Sequence, residues 1–151
     1  MIKFGKKIEH DLLALIPCLI AKIRTDTDIA AIYLFGSRAT GKTGPLSDID
    51  LAYLIEPKYD QHRMFEKHIE LINITTECLS TDEVTVLILN EVPLPIKYEV
   101  ICNSNLIYDV KPGYRQLFEV FVIKEYLDFR YALDYYDSVT LRKVAREDIY
   151  D

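Results

Sequence analysis

The stretch GSRATGKTGPLSDID, residues 36–50, carries two nucleotide-binding patterns that exclude each other. Its first eight residues, GSRATGKT, fit G-x-x-x-x-G-K-[ST] letter for letter. Taken whole, it is Gly36-Ser37, ten residues, then Asp48-Ile49-Asp50. The first pattern grips phosphates through a helix that begins at its Lys-Thr pair, where free N–H groups and the helix dipole hold the anion. Here Gly44 and Pro45 follow Thr43 at once, and a strand is predicted from Asp48. Proline disfavours helical geometry in the residue before it. The required helix has no room, and Lys42 reads equally well as an exposed loop lysine.

The second pattern meets its context. IAAIYLF, residues 29–35, is an apolar run of β-formers ended by Gly36, which predicts a buried strand. A glycine there lets backbone N–H groups approach a phosphate closely, and Ser37 and Arg38 add a hydroxyl and a cationic fork for the same anion. DIDLAYLI, residues 48–55, predicts a second strand stopped by Glu56-Pro57. Asp48 and Asp50 stand two apart on it, so their carboxylates share a face. Two such carboxylates repel unless they share a divalent cation, and oxygen ligands beside phosphates favour Mg²⁺. An isolated D-x-D at a strand start is usually solvated turn chemistry. Its coincidence with Gly-Ser on the preceding strand points to a site for a Mg-nucleoside triphosphate.

Around this centre the chain reads αββαβαβα. Residues 7–25 carry an apolar helical stripe, and residues 60–76 predict a helix with Met64, Phe65, His68, Ile69 and Ile72 on one side. EVTVLIL (83–89) predicts a third strand, Asn90 to Pro95 a turn, IKYEVICNS a short helix and LIYDV a fourth strand. A long helix follows from about residue 114, weakening near Asp137-Ser138. The two strands around the loop lie too close for an ordinary crossover and are expected to be neighbours. The whole is an α/β (α+β) layer structure, one domain over 1–151 with a core at about 26–110 and a C-terminal helical segment at about 113–150.

Bulk properties bound the rest. The 151 residues suffice for one domain with a real core. A net charge of -6 argues against a domain devoted to gripping nucleic-acid backbone. Cys18, Cys78 and Cys102 form no metal-ligand cluster, and read as buried thiols in a reducing cytoplasm. The apolar N-terminus is interrupted by Glu9, His10 and Asp11, is too short to span a bilayer, and reads as an amphipathic helix. No membrane association is expected.

GSRATGKTGPLSDIDLAYLI resembles the Gly-Ser-x10-Asp-x-Asp signature of the polymerase-β-like nucleotidyltransferases. More narrowly, it is similar to the minimal nucleotidyltransferases of the MNT type, MntA-like antitoxins encoded beside HEPN-domain toxins in prokaryotes. VLILNEVPLPIKYEVICNSNLIYD resembles that family's later strand, Leu-Asn-x-x-Pro turn, helix and closing strand, and FEVFVIKEYLDFRYAL its C-terminal helix. The resemblance implies a minimal nucleotidyltransferase fold, a small mixed β-sheet flanked by helices with a long C-terminal helix. It further implies transfer of AMP from ATP to a tyrosine hydroxyl of a cognate HEPN ribonuclease toxin, silencing it in a hetero-oligomeric complex. By the same resemblance, Ser37 and Gly36 hold the β- and γ-phosphates, beside the cationic Arg38, and Asp48 and Asp50 coordinate metal in a two-Mg²⁺ scheme.

One position departs from the pattern. The family's third carboxylate falls about four residues before Leu89-Asn90, and Thr85 stands there. Glu83, in phase with Thr85 on one strand face, is the candidate replacement, and Asp82 is out of phase. Alternatively, both acids only solvate the strand entry. Without a third carboxylate, a second function is expected: an antitoxin that binds nucleotide and acts by contact. A small-molecule acceptor fits less well, because the chain lacks an added helical domain to wall its pocket. His10, His62 and His68 form no dyad, and His68 reads as a satisfied core histidine. Tyr126, Tyr131, Tyr135 and Tyr136 in the last helix read as half-buried packing or a protein-binding face.

Overall fold

The computed structural model describes residues 12–36 and 49–150. A 3-10 turn, Leu12–Leu15, leads into α1 (Ile16–Ile23), followed by β1 (Ile29–Phe35) and β2 (Ile49–Ile55). Then come α2 (Gln61–Leu79), β3 (Val84–Ile88), α3 (Leu94–Asn103), β4 (Asn105–Asp109) and α4 (Pro112–Tyr150). This is the element order expected, with small shifts of boundary. Pro95 lies in the first turn of α3, where its missing N–H is harmless, so the helix starts two residues before Ile96. α4 runs unbroken through Ser138, whose hydroxyl donates to the Tyr135 carbonyl at 2.7 Å. No helix among the described residues is long and apolar enough to cross a membrane.

The sheet is mixed, in the order β3-β2-β1-β4. β1 pairs antiparallel with β2 and β4, while β2 and β3 run parallel. The parallel pair is joined through α2, as a parallel connection requires. Alternation along the strands divides the core. Ile32, Leu34, Leu51 and Tyr53 pack under α1 and α2, while Ala31, Tyr33, Ala52 and Leu54 pack with Val100 of α3 and with Tyr114 and Phe118 of α4. β1 and β2 are buried on both faces, which explains their unbroken apolar runs.

The buried side of α2 differs from the one its apolar spacing predicts. Met64, Lys67, Leu71, Thr75 and Cys78 face the sheet, and Phe65, Ile69 and Ile72 face solvent. The helix is turned by polar anchors. Lys67, 3 % exposed, pairs with Asp26 and, at 3.3 Å, with Asp28. Thr75 shares a 2.7 Å hydrogen bond with the buried Tyr53 hydroxyl. His68 is satisfied as expected, its Nε2–H donating to the Val86 carbonyl at 2.7 Å. The thiols depart from expectation: Cys78 is buried, but Cys18 and Cys102 are exposed.

The Lys67 cluster ties the loop after α1 to α2. Burial alone would lower the Lys67 pKa, but the hydrogen bonds and charges of Asp26 and Asp28 outweigh it and hold the ammonium above its ordinary value. The Asp28 carboxyl is held below the usual carboxylate range, first by the Tyr59 hydroxyl and then, against burial, by Lys67. A depressed folded pKa gives stability that is complete above the unfolded value, near 3.9, and is lost as pH falls through the folded value. Lys67→Met is therefore expected to lower unfolding stability by about 3 kcal/mol at neutral pH, because two carboxylates lose their cation. In urea titrations the gap from wild type narrows as pH falls below about 4.

Candidate active site

β1 ends and β2 begins at the same end of the sheet, and their register places Phe35 opposite Asp50. Asp50 alternates with Ile49 and Leu51, so it points to the face covered by α3 and α4. Gly36 follows Phe35 with φ +74°, the left-handed region open to glycine. The space where any other residue would carry Cβ is occupied by the Asp50 carboxylate: an added carbon would stand 2.1 Å from Oδ2 and 3.1 Å from Cγ. Gly36 is thus required twice, by its backbone and by the acid that fills its missing side chain.

The neighbouring strand supplies Thr85, the register partner of Asp50 across the parallel pair. Its side chain is exposed. Two residues earlier, Glu83 is anchored by its backbone: its N–H donates to Thr81 Oγ1 at 3.1 Å, and its carbonyl accepts from Ile49 N–H at 3.3 Å. The Glu83 side chain is half-buried, and Oε2 is fully buried with no hydrogen-bond partner among the described residues. Asp82 is exposed. A buried carboxylate oxygen without a donor is costly and in need of a cation or a proton donor. Ser37, Arg38 and Asp48, the other predicted site residues, lie outside the described residues. Among the described residues alone, no group of three acids, histidines or cysteines is close enough to hold a metal.

Beside Gly36 a cleft of about 180 Å³ opens between β1 and α3, lined by Phe35, Gly36, Glu99, Val100 and Asn103. The Asn103 amide donates to Glu99 at 2.8 Å across its mouth. Farther along, two positioning features were not predicted from the sequence. Asn90 clasps both backbone groups of Ile55, accepting from its N–H at 2.9 Å and donating to its carbonyl at 2.8 Å. It thereby fixes the end of β3 against β2. Arg115 of α4 bridges Asp109 and Glu119, each at 3.0 Å, and Glu119 accepts from the buried Tyr33 hydroxyl at 2.8 Å. Burial, reinforced by Glu119, pushes the Tyr33 phenol far above its ordinary pKa, so it remains a donor. The Asn-after-strand pattern was visible in Leu89-Asn90. The pairing across 35 residues of chain was not.

The polymerase beta nucleotidyltransferase family profile matches residues 18–112, which include both strands and the acid between them. The chain belongs to this family. No curated protein matches the sequence. Among solved structures, a chain of a toxin–antitoxin complex with AMP-PNP superposes with a TM-score of 0.62 at 20 % identity, covering 94 % of this chain and 100 % of that one. A chain of the tri-AMPylated Shewanella oneidensis HEPN toxin in complex with its MNT antitoxin gives 0.59 at 19 % identity, over 93 % and 99 %. The toxin–antitoxin MntA–HepT gives 0.58 at 20 % identity, over 92 % and 99 %. At these identities the likeness establishes a common fold over nearly the whole chain.

The Gly36–Asp50 contact makes a thermodynamic prediction. Gly36→Ala is expected to destabilise the protein by about 1–3 kcal/mol, through positive-φ strain and displacement of the carboxylate. In Gly36→Ala/Asp50→Ala only the backbone strain remains, so a double-mutant cycle measured by chemical denaturation should show coupling of about 1 kcal/mol or more.

Proposed function

We propose that this chain is an antitoxin nucleotidyltransferase that transfers AMP from ATP to a tyrosine hydroxyl of a HEPN-type ribonuclease toxin. The observation that carries the chemistry is the Asp50 carboxylate seated in the space of the absent Gly36 side chain, within a family of nucleotidyltransferases. The fold shared with chains of toxin–antitoxin complexes supports the partner and the nucleotide.

The donor set suits Mg²⁺: Asp50, the Glu83 oxygen that has no donor among the described residues and Asp48 are all hard oxygen ligands. Bound there, Mg²⁺ would lower the pKa of the attacking hydroxyl and neutralise the triphosphate. Asp48 and Asp50 would hold the cation, and Glu83 would stand in for the carboxylate that Thr85 lacks. Gly36 opens the backbone to the β- and γ-phosphates, with Ser37 and Arg38 as further donors. The tyrosine hydroxyl gives its proton to solvent, its oxygen forms a bond to the α-phosphorus, the bond from that phosphorus to the bridging oxygen breaks, and pyrophosphate leaves. Catalysis is then chiefly positioning and charge neutralisation. The cleft at Phe35 and Val100 gives the nucleoside an apolar wall beside the carboxylates.

A second reading rests on Thr85, which places an exposed hydroxyl where Asp50 would otherwise meet an acid. On that reading the chain binds ATP without transferring it and silences its partner by contact.

The deciding experiment incubates the protein with α-labelled ATP, Mg²⁺ and a lysate of its own host. A labelled protein band is expected, and Asp48→Asn or Asp50→Asn should reduce it about 10²–10³-fold. No label, with ATP binding that still depends on Asp50, would overturn transfer in favour of contact. Glu83→Gln separates its two roles. If Glu83 serves the metal, the variant slows labelling at least about tenfold. The same variant is expected to gain about 1 kcal/mol of metal-free stability, because Oε2 is buried with no hydrogen-bond donor among the described residues.

A further inference from the structure

α1 and α2 meet along a seam that carries two thiols. Leu19 and Ile23 of α1 share one apolar cluster with Leu71 and Leu79 of α2, and Cys78 belongs to it. On the flank of that contact, Lys22 of α1 reaches Glu77 of α2 at 3.1 Å. Cys18 precedes Lys22 by four residues and so lies on the same side of α1, while Cys78 directly follows Glu77. Packing and ion pair together bring the sulfurs into contact. The Cys18 and Cys78 thiols are hydrogen-bonded to each other across 60 residues of chain. The Lys22 ammonium lies within electrostatic reach of both sulfurs.

The two thiols differ in access. Cys18 is exposed and Cys78 is buried, and burial pushes the Cys78 thiol up. A reagent from solvent therefore meets Cys18 first, and Cys78 reacts only with what Cys18 presents to it. Cys102 is the internal contrast: it is exposed on α3, and its side-chain contact is the Tyr98 hydroxyl rather than a second thiol.

We propose that Cys18 and Cys78 form a dithiol site for small disulfides, which convert the pair into an intramolecular disulfide that locks α1 onto α2. Cys18 gives its proton to solvent, and its sulfur attacks one sulfur of the small disulfide. That S–S bond breaks and one small thiolate leaves. Cys78 then gives its proton to solvent, its sulfur bonds to that of Cys18, and the second small thiolate leaves. Two protein thiols are oxidised to one disulfide, and one small disulfide is reduced to two thiols. Lys22 stabilises the thiolate at each attack. The new bond closes a loop of about 60 residues, which restricts the unfolded chain and raises the stability of the folded one. This site is independent of the chemistry proposed at Asp50.

The test treats the folded full chain with oxidised glutathione and reads intact mass, cross-linked peptides and the thermal midpoint. In Cys102→Ser the mass should fall by two hydrogens with no glutathione retained, and a Cys18–Cys78 peptide should appear. Its midpoint should rise by at least about 5 °C over the reduced chain and return on adding dithiothreitol. Wild type should differ only by one glutathione held on Cys102. Cys18→Ser/Cys102→Ser changes two exposed positions, so its helical circular dichroism should be unchanged while the cross-link is lost and Cys78 stays a free thiol. Glutathione that remains on Cys18 beside a reduced Cys78 would overturn the proposal. So would a pair that does not oxidise, or a cross-link that leaves the midpoint unchanged or lower.

Discussion

The molecule depends on the pairing that brings Phe35 opposite Asp50. A slip of one residue would turn Asp50 to the opposite face of the sheet, into the apolar layer under α1 and α2. The register is held by apolar burial on both sides of β1 and β2, where Ile32, Leu51 and Tyr53 pack one way and Tyr33, Ala52 and Leu54 the other. Gly36 then completes the constraint. It is the one residue type that both adopts the backbone there and leaves room for the Asp50 carboxylate. Strand register, glycine and acid are one structural decision.

Polar groups do much of the orienting in this largely apolar core. Lys67 draws α2 inward toward Asp26 and Asp28 and so leaves Phe65, Ile69 and Ile72 outside. Asn90 ties the end of β3 to Ile55 of β2. Arg115 and Glu119 fix the root of α4 against β4 and Tyr33. Hydrophobic burial is non-directional, whereas each of these contacts has a geometry to satisfy. They select one arrangement among several that would bury similar area.

α4 shows the same division on a larger scale. Its 39 residues reach about 58 Å, well beyond the domain that anchors its first turns. A helix of that length with large apolar side chains on its outer face is built to be covered.

Much of this was legible in the sequence. The two apolar runs and the Gly44-Pro45 break between them identified the strands and their adjacency, and the Gly-Ser and Asp-x-Asp pairs at their spacing pointed to the family, because these are local signals with a fixed period. The departure at Thr85 was equally legible, being a matter of counting. Other features were not. Spacing put Phe65 and Ile69 on the buried side of α2, since nothing local reveals that two aspartates 40 residues away would claim Lys67. The occupation of Gly36's empty side by Asp50 and the clasp of Asn90 on Ile55 are contacts between distant segments. The sequence by itself determined which elements form and what chemistry they carry, because propensity, periodicity and motif spacing act within a few residues. Only the tertiary structure decided which faces are buried and which carboxylate meets which backbone, because those depend on where the sheet brings separate parts of the chain together.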